Sequence, residues 1–210
     1  MSFTPLVVDL AGERVVCAGA GPVAAAKALP LLDAGADLVV VAPEASPALR
    51  AARLTWHPRA YQPGDLDGAI LAIAATGTVG VNDRVARDAA ARHIFCVRTD
   101  GHGTAAFPAA VRRGPLLLAV STSGHAPALA RRVRERLEDE YGREWGELAT
   151  LLGELRASEG VTAALKGIDH AERRRRWHAA LDALLTDGRP NADRHAALAA
   201  LGVSGEQSLS

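Results

Sequence analysis

At 210 residues the chain is long enough for one domain with a substantial core or for two small ones. Apolar residues make up 49% and charged residues 23%, the balance of a soluble globular protein. Lys+Arg and Asp+Glu both count 24, so no global field draws the chain to nucleic acid or a membrane surface, and an anionic ligand must be met by a local basic patch.

No run approaches the ~20 apolar residues of a membrane span. The N-terminus also lacks the basic and apolar regions of a signal peptide. Cys17 and Cys96, both in apolar runs, are read as small core residues of a reducing compartment, and a cytoplasmic protein is expected.

Pro5–Leu10 is predicted as a short strand or lead-in, closed by a turn at Ala11-Gly12-Glu13. The run Val15–Ala18 then leads into Gly19-Ala20-Gly21-Pro22-Val23-Ala24, and alanine-rich helical sequence follows. Strand, glycine turn and helix in that order make a dinucleotide-binding fingerprint, although the same pattern also serves a tight βα turn with no nucleotide. In the first reading Gly19 permits the turn, Gly21 lets the backbone approach a pyrophosphate, and Ala24 keeps the helix close to the strand. The N–H groups opening that helix would face the phosphates, and Pro22 forfeits only an N–H that has no partner there. The helix is expected over Val23–Ala34, kinked or frayed at Pro30, with Gly35 as its C-cap.

Asp37–Ala42 carries a continuous apolar run of the kind buried on both faces of a parallel sheet. Pro43 and Glu44 follow at its carboxyl end, where this fold class places the group that receives the ribose hydroxyls. The Glu44 carboxylate or the backbone of Pro43 and Glu44 would serve; the alternative is a solvated loop carboxylate. No nearby arginine invites a 2′-phosphate, which favours NAD over NADP.

A helix over Ser46–Arg53 precedes a third strand, Leu54–His57. Gly68–Thr76 is another buried strand, and small residues at its end, Thr76 and Gly77, would let a flat ring lie against the backbone. A helix from Asn82, as N-cap, to His93 and a strand from Ile94 to Thr99, ending at Asp100, complete the alternation. Buried strands alternating with helices give a doubly wound α/β domain of Rossmann type. Gly19, Gly21, Glu44, Thr76 and Asp100 then share the carboxyl edge of the sheet, where ligands bind. Asp100 is the candidate general base if burial raises its pKa towards neutral; an Asx turn is the alternative. His102 and His125 lack metal-ligand spacing and are read as loop residues, so no permanent metal site is expected.

The texture then changes. Phe107–Gly114 and Pro115–Thr122 read as two strands around Arg113-Gly114-Pro115, and a boundary is placed near residue 114. Helices are expected over Ala128–Tyr141, Trp145–Ala157, Ala171–Leu185 and Asn191–Leu201, with Gly202–Ser210 frayed. Before the first of them, Ser121, Thr122, Ser123, Gly124 and His125 form a loop whose hydroxyls can cap the helix or contact incoming carboxylates. Arg131, Arg132 and Arg134, with Arg112 and Arg113, supply the basic patch a polyanionic substrate needs. Arg173–Arg176 point all round a helix and are read as mostly solvated surface.

Taken together, Gly19–Ala24, Val41–Glu44, Ile73–Thr76, Ile94–Asp100, Phe107–Ala109, Leu118–Gly124 and Pro127–Arg131 resemble the siroheme synthase N-terminal region, the precorrin-2 dehydrogenase/sirohydrochlorin ferrochelatase family. The resemblance runs from about Pro5 to Leu137, with a fainter echo at Glu172–Trp177. It implies NAD-linked oxidation of precorrin-2 to sirohydrochlorin, Fe²⁺ insertion in many members, and a homodimer interlocked through the region after the sheet. It divides the chain into a Rossmann-like NAD-binding domain over 1–113, a strand-plus-helix dimerisation segment over 114–146 and a helical C-terminal region over 147–210. By the same resemblance, Pro22-Val23 and Pro43-Glu44 match NAD contacts. Asp100 matches the aspartate assigned to proton removal and implicated in chelation, and Ser121-Thr122 match a serine-rich loop by the tetrapyrrole. Two departures touch the substrate side: Gly101–Ala106 is short for the family, and Thr122 stands where serine is common. A chain of this length has no room for the methyltransferase domain of some members, so precorrin-2 is expected to come from another enzyme. The competing function is a non-catalytic NAD(H)-sensing module with a helical assembly tail, which needs the fingerprint but neither Asp100 nor the Ser/Thr–Arg segment.

Overall fold

The computed structural model describes residues 3–191 and 193–203. The chain divides into two compact units, Met1–Phe107 and Pro108–Ser210.

The first unit runs β1 (Arg14–Ala18), α1 (Pro22–Asp33), β2 (Asp37–Val41), α2 (Pro47–Ala51), β3 (Thr55–His57), β4 (Leu71–Ala74), α3 (Val79–Ala91) and β5 (Phe95–Arg98). The five strands are parallel, in the order β3-β2-β1-β4-β5. The apolar runs of β1, β2 and β4 are buried on both faces, because side chains alternate across a sheet covered on either side. Val15 and Cys17 join Leu38, Val40 and Ile73 beneath the alanine face of α1, made by Ala24, Ala25 and Ala28. Val16 and Ala18 join Val39, Val41, Ala72, Ala74 and Cys96 on the opposite face, under Val85 and Ala89 of α3. The winding therefore reverses between β1 and β4, and the crevice of a doubly wound sheet opens at their carboxyl ends.

Three local expectations are corrected. Pro5–Leu10 forms no strand: Leu6 and Val7 are 72% and 83% exposed, and the segment is an irregular lead-in. Helix α1 continues for three residues past Pro30 to Asp33, which corrects the fraying expected there. Pro30 and Ala26, whose carbonyl loses its donor, are both exposed, so the freed carbonyl is open to solvent. Helix α3 starts at Val79, with Thr78 as N-cap, and Asn82 lies inside it, fully buried. Gly77, Thr78 and Gly80 are poor helix formers, but packing of Val85 and Ala89 on the sheet carries the helix back to that point.

The segment between β3 and β4 is fixed by Asp65, whose carboxylate accepts from the Gln62 backbone N–H at 2.7 Å and from two guanidinium nitrogens of Arg59. Arg59, reinforced by Gln62, holds the Asp65 carboxyl below the usual carboxylate range. Asp65→Ala is expected to destabilise this unit by about 1–2 kcal/mol, since the Gln62 backbone N–H and the Arg59 guanidinium lose their shared acceptor. With the folded pKa depressed, this stabilisation is present above the unfolded carboxylate pKa and lost as pH falls through the folded one. The gap between the urea midpoints of wild type and variant should therefore close below about pH 4.

The second unit opens with an antiparallel hairpin, β6 (Ala109–Arg113) and β7 (Leu116–Val120), turning at Gly114 with φ +54°. The helices α4 (Pro127–Glu140) and α5 (Arg143–Ala157) follow. At Gly146, α5 meets the Arg113 carbonyl so closely that a Cβ has no room. A helical core then forms from α6 (Glu159–Ala164), α7 (His170–Ala183), the short hairpin β8 (Leu185–Thr186) and β9 (Arg189–Pro190), and α8 (Arg194–Leu201). Leu155, Val161, Leu165, Leu184, Leu198 and Leu201 are buried in it. Neither α6 nor the β8–β9 hairpin was expected from the sequence. Fraying from Gly202 is corrected in part: Gly202 caps α8 at φ +83° and Val203 packs into this core, while 204–210 lie outside the described residues.

Candidate functional site

At the crevice in the first unit lies a cavity of about 490 Å³, of the size that takes small molecules. Gly19, Ala20, Gly21, Pro43, Glu44 and Thr76 line it, together with Tyr61 and Val81. Gly19 has φ +108°, and a Cβ there would collide with the Ala75 carbonyl, so the ends of β1 and β4 touch through glycine. Gly21 is the N-cap of α1, and a Cβ there would meet nothing within 4 Å. The backbone is thus bare on the side where a pyrophosphate would approach. Pro22 opens the helix, and the N–H groups of Val23 and Ala24 have no intrahelical acceptor. These features fit a dinucleotide. Pro22 and Val23 do not line the cavity; they form the first turn of α1, with Val23 57% exposed.

At the β2 end, Pro43 and Glu44 are exposed on the cavity wall. No arginine or lysine lines the cavity among the described residues. Arg50 instead stacks on Trp56 at 5.5 Å, and the indole N–H donates to the Ala42 carbonyl at 2.9 Å, which fixes the end of β2. Tyr61 is tethered by its hydroxyl to Asp88 at 3.0 Å, so its ring is a fixed wall. Burial and that carboxylate push the Tyr61 phenol up from its ordinary value.

Asp100 sits just beyond β5, its side chain 22% exposed. Its Oδ1 accepts from Arg98 Nε at 3.1 Å and its Oδ2 from Asn82 Nδ2 at 2.8 Å. Arg98 is itself held by Asp83 at 2.7 Å. Arg98 first and Asn82 second hold the Asp100 carboxyl below the usual carboxylate range, the reverse of the expected upward shift by burial. The group is therefore a carboxylate across the neutral range. Each oxygen keeps lone-pair capacity beyond the one bond made here. After Asp100 the chain folds back along β5: Ala105 N donates to the Cys96 carbonyl at 3.0 Å, and Cys96 N to Thr104 Oγ1 at 2.8 Å. Gly103 passes too close to the Cys96 carbonyl to carry a Cβ.

Three residues of this site were missed as functional candidates. Asn82 was read as a cap, and Arg98 and Tyr61 were not singled out. The signal for Arg98 lies in its i, i+2 spacing from Asp100, which along an extended segment puts both side chains on one face.

Ser121, Thr122, Ser123, His125 and Arg131 belong to the second unit. Their loop is held by its own bonds: Ser123 N donates to Ser121 Oγ at 3.1 Å, and Ala126 N to Thr122 Oγ1 at 3.1 Å, just ahead of α4. His125 Nδ1 lies 3.1 Å from the Thr122 carbonyl. Ser123 and Gly124 take positive φ, +51° and +81°. Arg131 is exposed and outside the ion pairs of the described residues, whereas Arg132 and Arg134 pair with Glu135 and Glu138. Arg113 donates to the Tyr141 and Glu138 carbonyls. The expected basic patch is thus largely engaged within the unit. In the Arg173–Arg176 run, Arg175 and Arg176 pair with Glu172 and Arg173 donates to the Leu165 carbonyl.

Among the described residues no group of three or more His, Cys, Asp or Glu gathers to hold a metal, and no helix is long and apolar enough to cross a membrane. Cys17 and Cys96 are free and buried, and burial raises the Cys17 thiol to about 12.

Residues 6–109 match the family model described as putative NAD(P)-binding, and residues 113–140 the one described as sirohaem biosynthesis protein central. The siroheme synthase of Chromobacterium violaceum is 40% identical over 205 residues, 95% of this chain and 43% of that protein. That of Azotobacter vinelandii is 44% identical over 163 residues, 75% of this chain and 35% of that protein. The chain thus spans less than half the length of these relatives. A solved structure described as SirC, precorrin-2 dehydrogenase, shares the fold with a TM-score of 0.70 at 23% identity, covering 95% of this chain and 99% of that one. From the glycine turn to the start of α4, sequence and fold agree: the chain belongs to the family of the siroheme synthase N-terminal region.

Proposed function

We propose that this chain is an NAD-dependent precorrin-2 dehydrogenase that gives sirohydrochlorin, with Fe²⁺ insertion into that product as a second activity. The observation that carries the reading is a carboxylate, Asp100, kept ionised beside the dinucleotide cavity and linked to its wall through Asn82 and Thr76. The bare turn at Gly19 to Gly21, with the free N–H groups of Val23 and Ala24, binds the pyrophosphate. Pro43 and Glu44 receive the adenosine ribose, and the Glu44 charge disfavours a 2′-phosphate, hence NAD. Bound there, NAD supplies the hydride acceptor. Asp100 takes the proton that must leave with the hydride. Its low basicity suffices because hydride loss leaves the macrocycle cationic and its protons acidic. In metal insertion the same carboxylate accepts the pyrrole N–H protons that Fe²⁺ displaces.

Ser121, Thr122, Ser123, His125 and Arg131 meet the substrate's carboxylates, Arg131 being exposed and, among the described residues, outside the ion pairs that engage Arg132 and Arg134. The chain works as a homodimer through the segment 114–146. In support, β7 reads Leu-Leu-Leu-Ala-Val, yet none of its five residues is buried within the chain. Two unpaired, buried thiols accord with a cytoplasmic enzyme.

The test is anaerobic incubation with precorrin-2 and NAD, following NADH and sirohydrochlorin, and then addition of Fe²⁺. NADH followed by siroheme faster than the enzyme-free control establishes both activities. NADH alone restricts the chain to dehydrogenation. Neither, from folded NAD-binding protein, overturns the proposal in favour of a nucleotide-sensing module.

Gly21→Ala separates ligand binding from folding. Stability should change by less than about 1 kcal/mol, because the added methyl meets open space and the poorer N-cap is offset by the lower unfolded-state entropy of alanine. NAD binding should weaken about tenfold or more as the phosphate loses close backbone contact. Calorimetric titration and a thermal melt on one sample read both.

A further inference from the structure

Asn82 is a fully buried polar residue on the first turns of α3, yet none of its side-chain bonds goes to its own helix. Its Oδ1 accepts from Thr76 N at 3.0 Å and Thr76 Oγ1 at 2.7 Å. Its Nδ2 donates to the Thr76 carbonyl at 3.1 Å and to Asp100 Oδ2 at 2.8 Å. An amide side chain has two donor hydrogens and two acceptor lone pairs, and here all four are used. The orientation is also dictated: the Thr76 N–H must face an oxygen, and the Thr76 carbonyl and the carboxylate must face the NH₂.

The neighbouring residue extends the pattern. Asp83 grips Arg98, and Arg98 returns to the other oxygen of Asp100. Two consecutive residues of α3 therefore reach both oxygens of one carboxylate, Asn82 directly and Asp83 through a guanidinium. A residue that only started the helix would bond within it.

We propose that Asn82 is a positioning residue for the dehydrogenation: it locks the Asp100 carboxylate, in its ionised form, to the strand end at Thr76 that walls the dinucleotide cavity. The inference rests on Asp100 being the base. Through this one amide, the base and the cavity that holds the hydride acceptor keep a fixed separation, which a proton transfer coupled to hydride loss requires.

The test is Asn82→Asp in the full chain. The substitution keeps size and the acceptor contacts to Thr76, but replaces both donors and sets a second carboxylate against Asp100. The Asp100 carboxyl, followed by carbon NMR of aspartate-labelled protein, should titrate about one pH unit or more higher than in wild type. In turnover, kcat should fall by about 10–100-fold with little change in the KM for NAD, and the acid limb of the profile should move up in parallel. Should the Asp variant not fold, Asn82→Ser carries the same titration, because its hydroxyl cannot span Thr76 and Asp100. An Asp100 titration unchanged from wild type overturns the proposal. So does a loss of turnover with an unshifted pH profile, which is the mark of a residue that only supports the fold. The titration needs no substrate, so a wild-type protein that fails to oxidise precorrin-2 while the shift is present defeats the reaction and not the lock.

Discussion

Asp100→Ala is expected to lower the turnover of precorrin-2 by about 10²–10⁴-fold, the contribution of a positioned general base, and to leave NAD binding unchanged. The two effects separate because Asp100 lies outside the residues that line the cavity. The fold should tolerate the change: Arg98 keeps its bond to Asp83, and Asn82 keeps three of its four bonds, all to Thr76. The pH profile adds a second check. Arg98 and Asn82 hold the Asp100 carboxyl below its ordinary value, so it is fully ionised from about pH 5 upward. Turnover should then show no acid limb from this group between about pH 5 and pH 8. An acid limb near neutrality, or turnover surviving in the alanine variant, would assign the proton to another base.

The largest effect on the fold is expected from Gly19→Ala. Gly19 holds φ +108°, where side chains are strained, and its Cβ would penetrate the Ala75 carbonyl at the end of β4. Neither backbone can yield, because β1 and β4 are paired from Val15 with Leu71 to Ala18 with Ala74, in the centre of the sheet. Strain and overpacking together should cost about 3 kcal/mol or more. The melting temperature should fall by roughly 10 °C or more. NAD binding goes with it, since the same contact forms the floor of the cavity. Against the near-neutral stability expected of Gly21→Ala, the pair divides the fingerprint into a folding glycine and a ligand glycine. Equal stability losses in both would refute that division.

Much of this was legible in the residues. The apolar runs of β1, β2 and β4 have both faces covered, and burial on both faces imposes continuous hydrophobicity. The glycine turn fixed the edge of the sheet on which the cavity lies. The β8–β9 hairpin also carries a local signal: it turns at Asp187-Gly188, both with positive φ, and Asp-Gly is a strong two-residue turn sequence.

Other features had no local signal. Whether a polar residue at the start of α3 caps its own helix or reaches across to two strand ends depends on where β4 and β5 finish relative to it. Asn82 thus looked like a cap and proved to be a buried bridge. The upward shift that burial would bring to Asp100 does not occur, because Arg98, two residues before it, and Asn82, 18 residues before it, both hold the charged form. Hydrophobic patterning and turn chemistry are properties of adjacent residues, and the sequence by itself determined the sheet, its winding and the edge on which the cavity lies. The bridge from Asn82 to Thr76 and Asp100 joins segments distant in the chain, and only the tertiary structure decided it; Arg98, the larger influence on the Asp100 carboxyl, was already its neighbour two residues away.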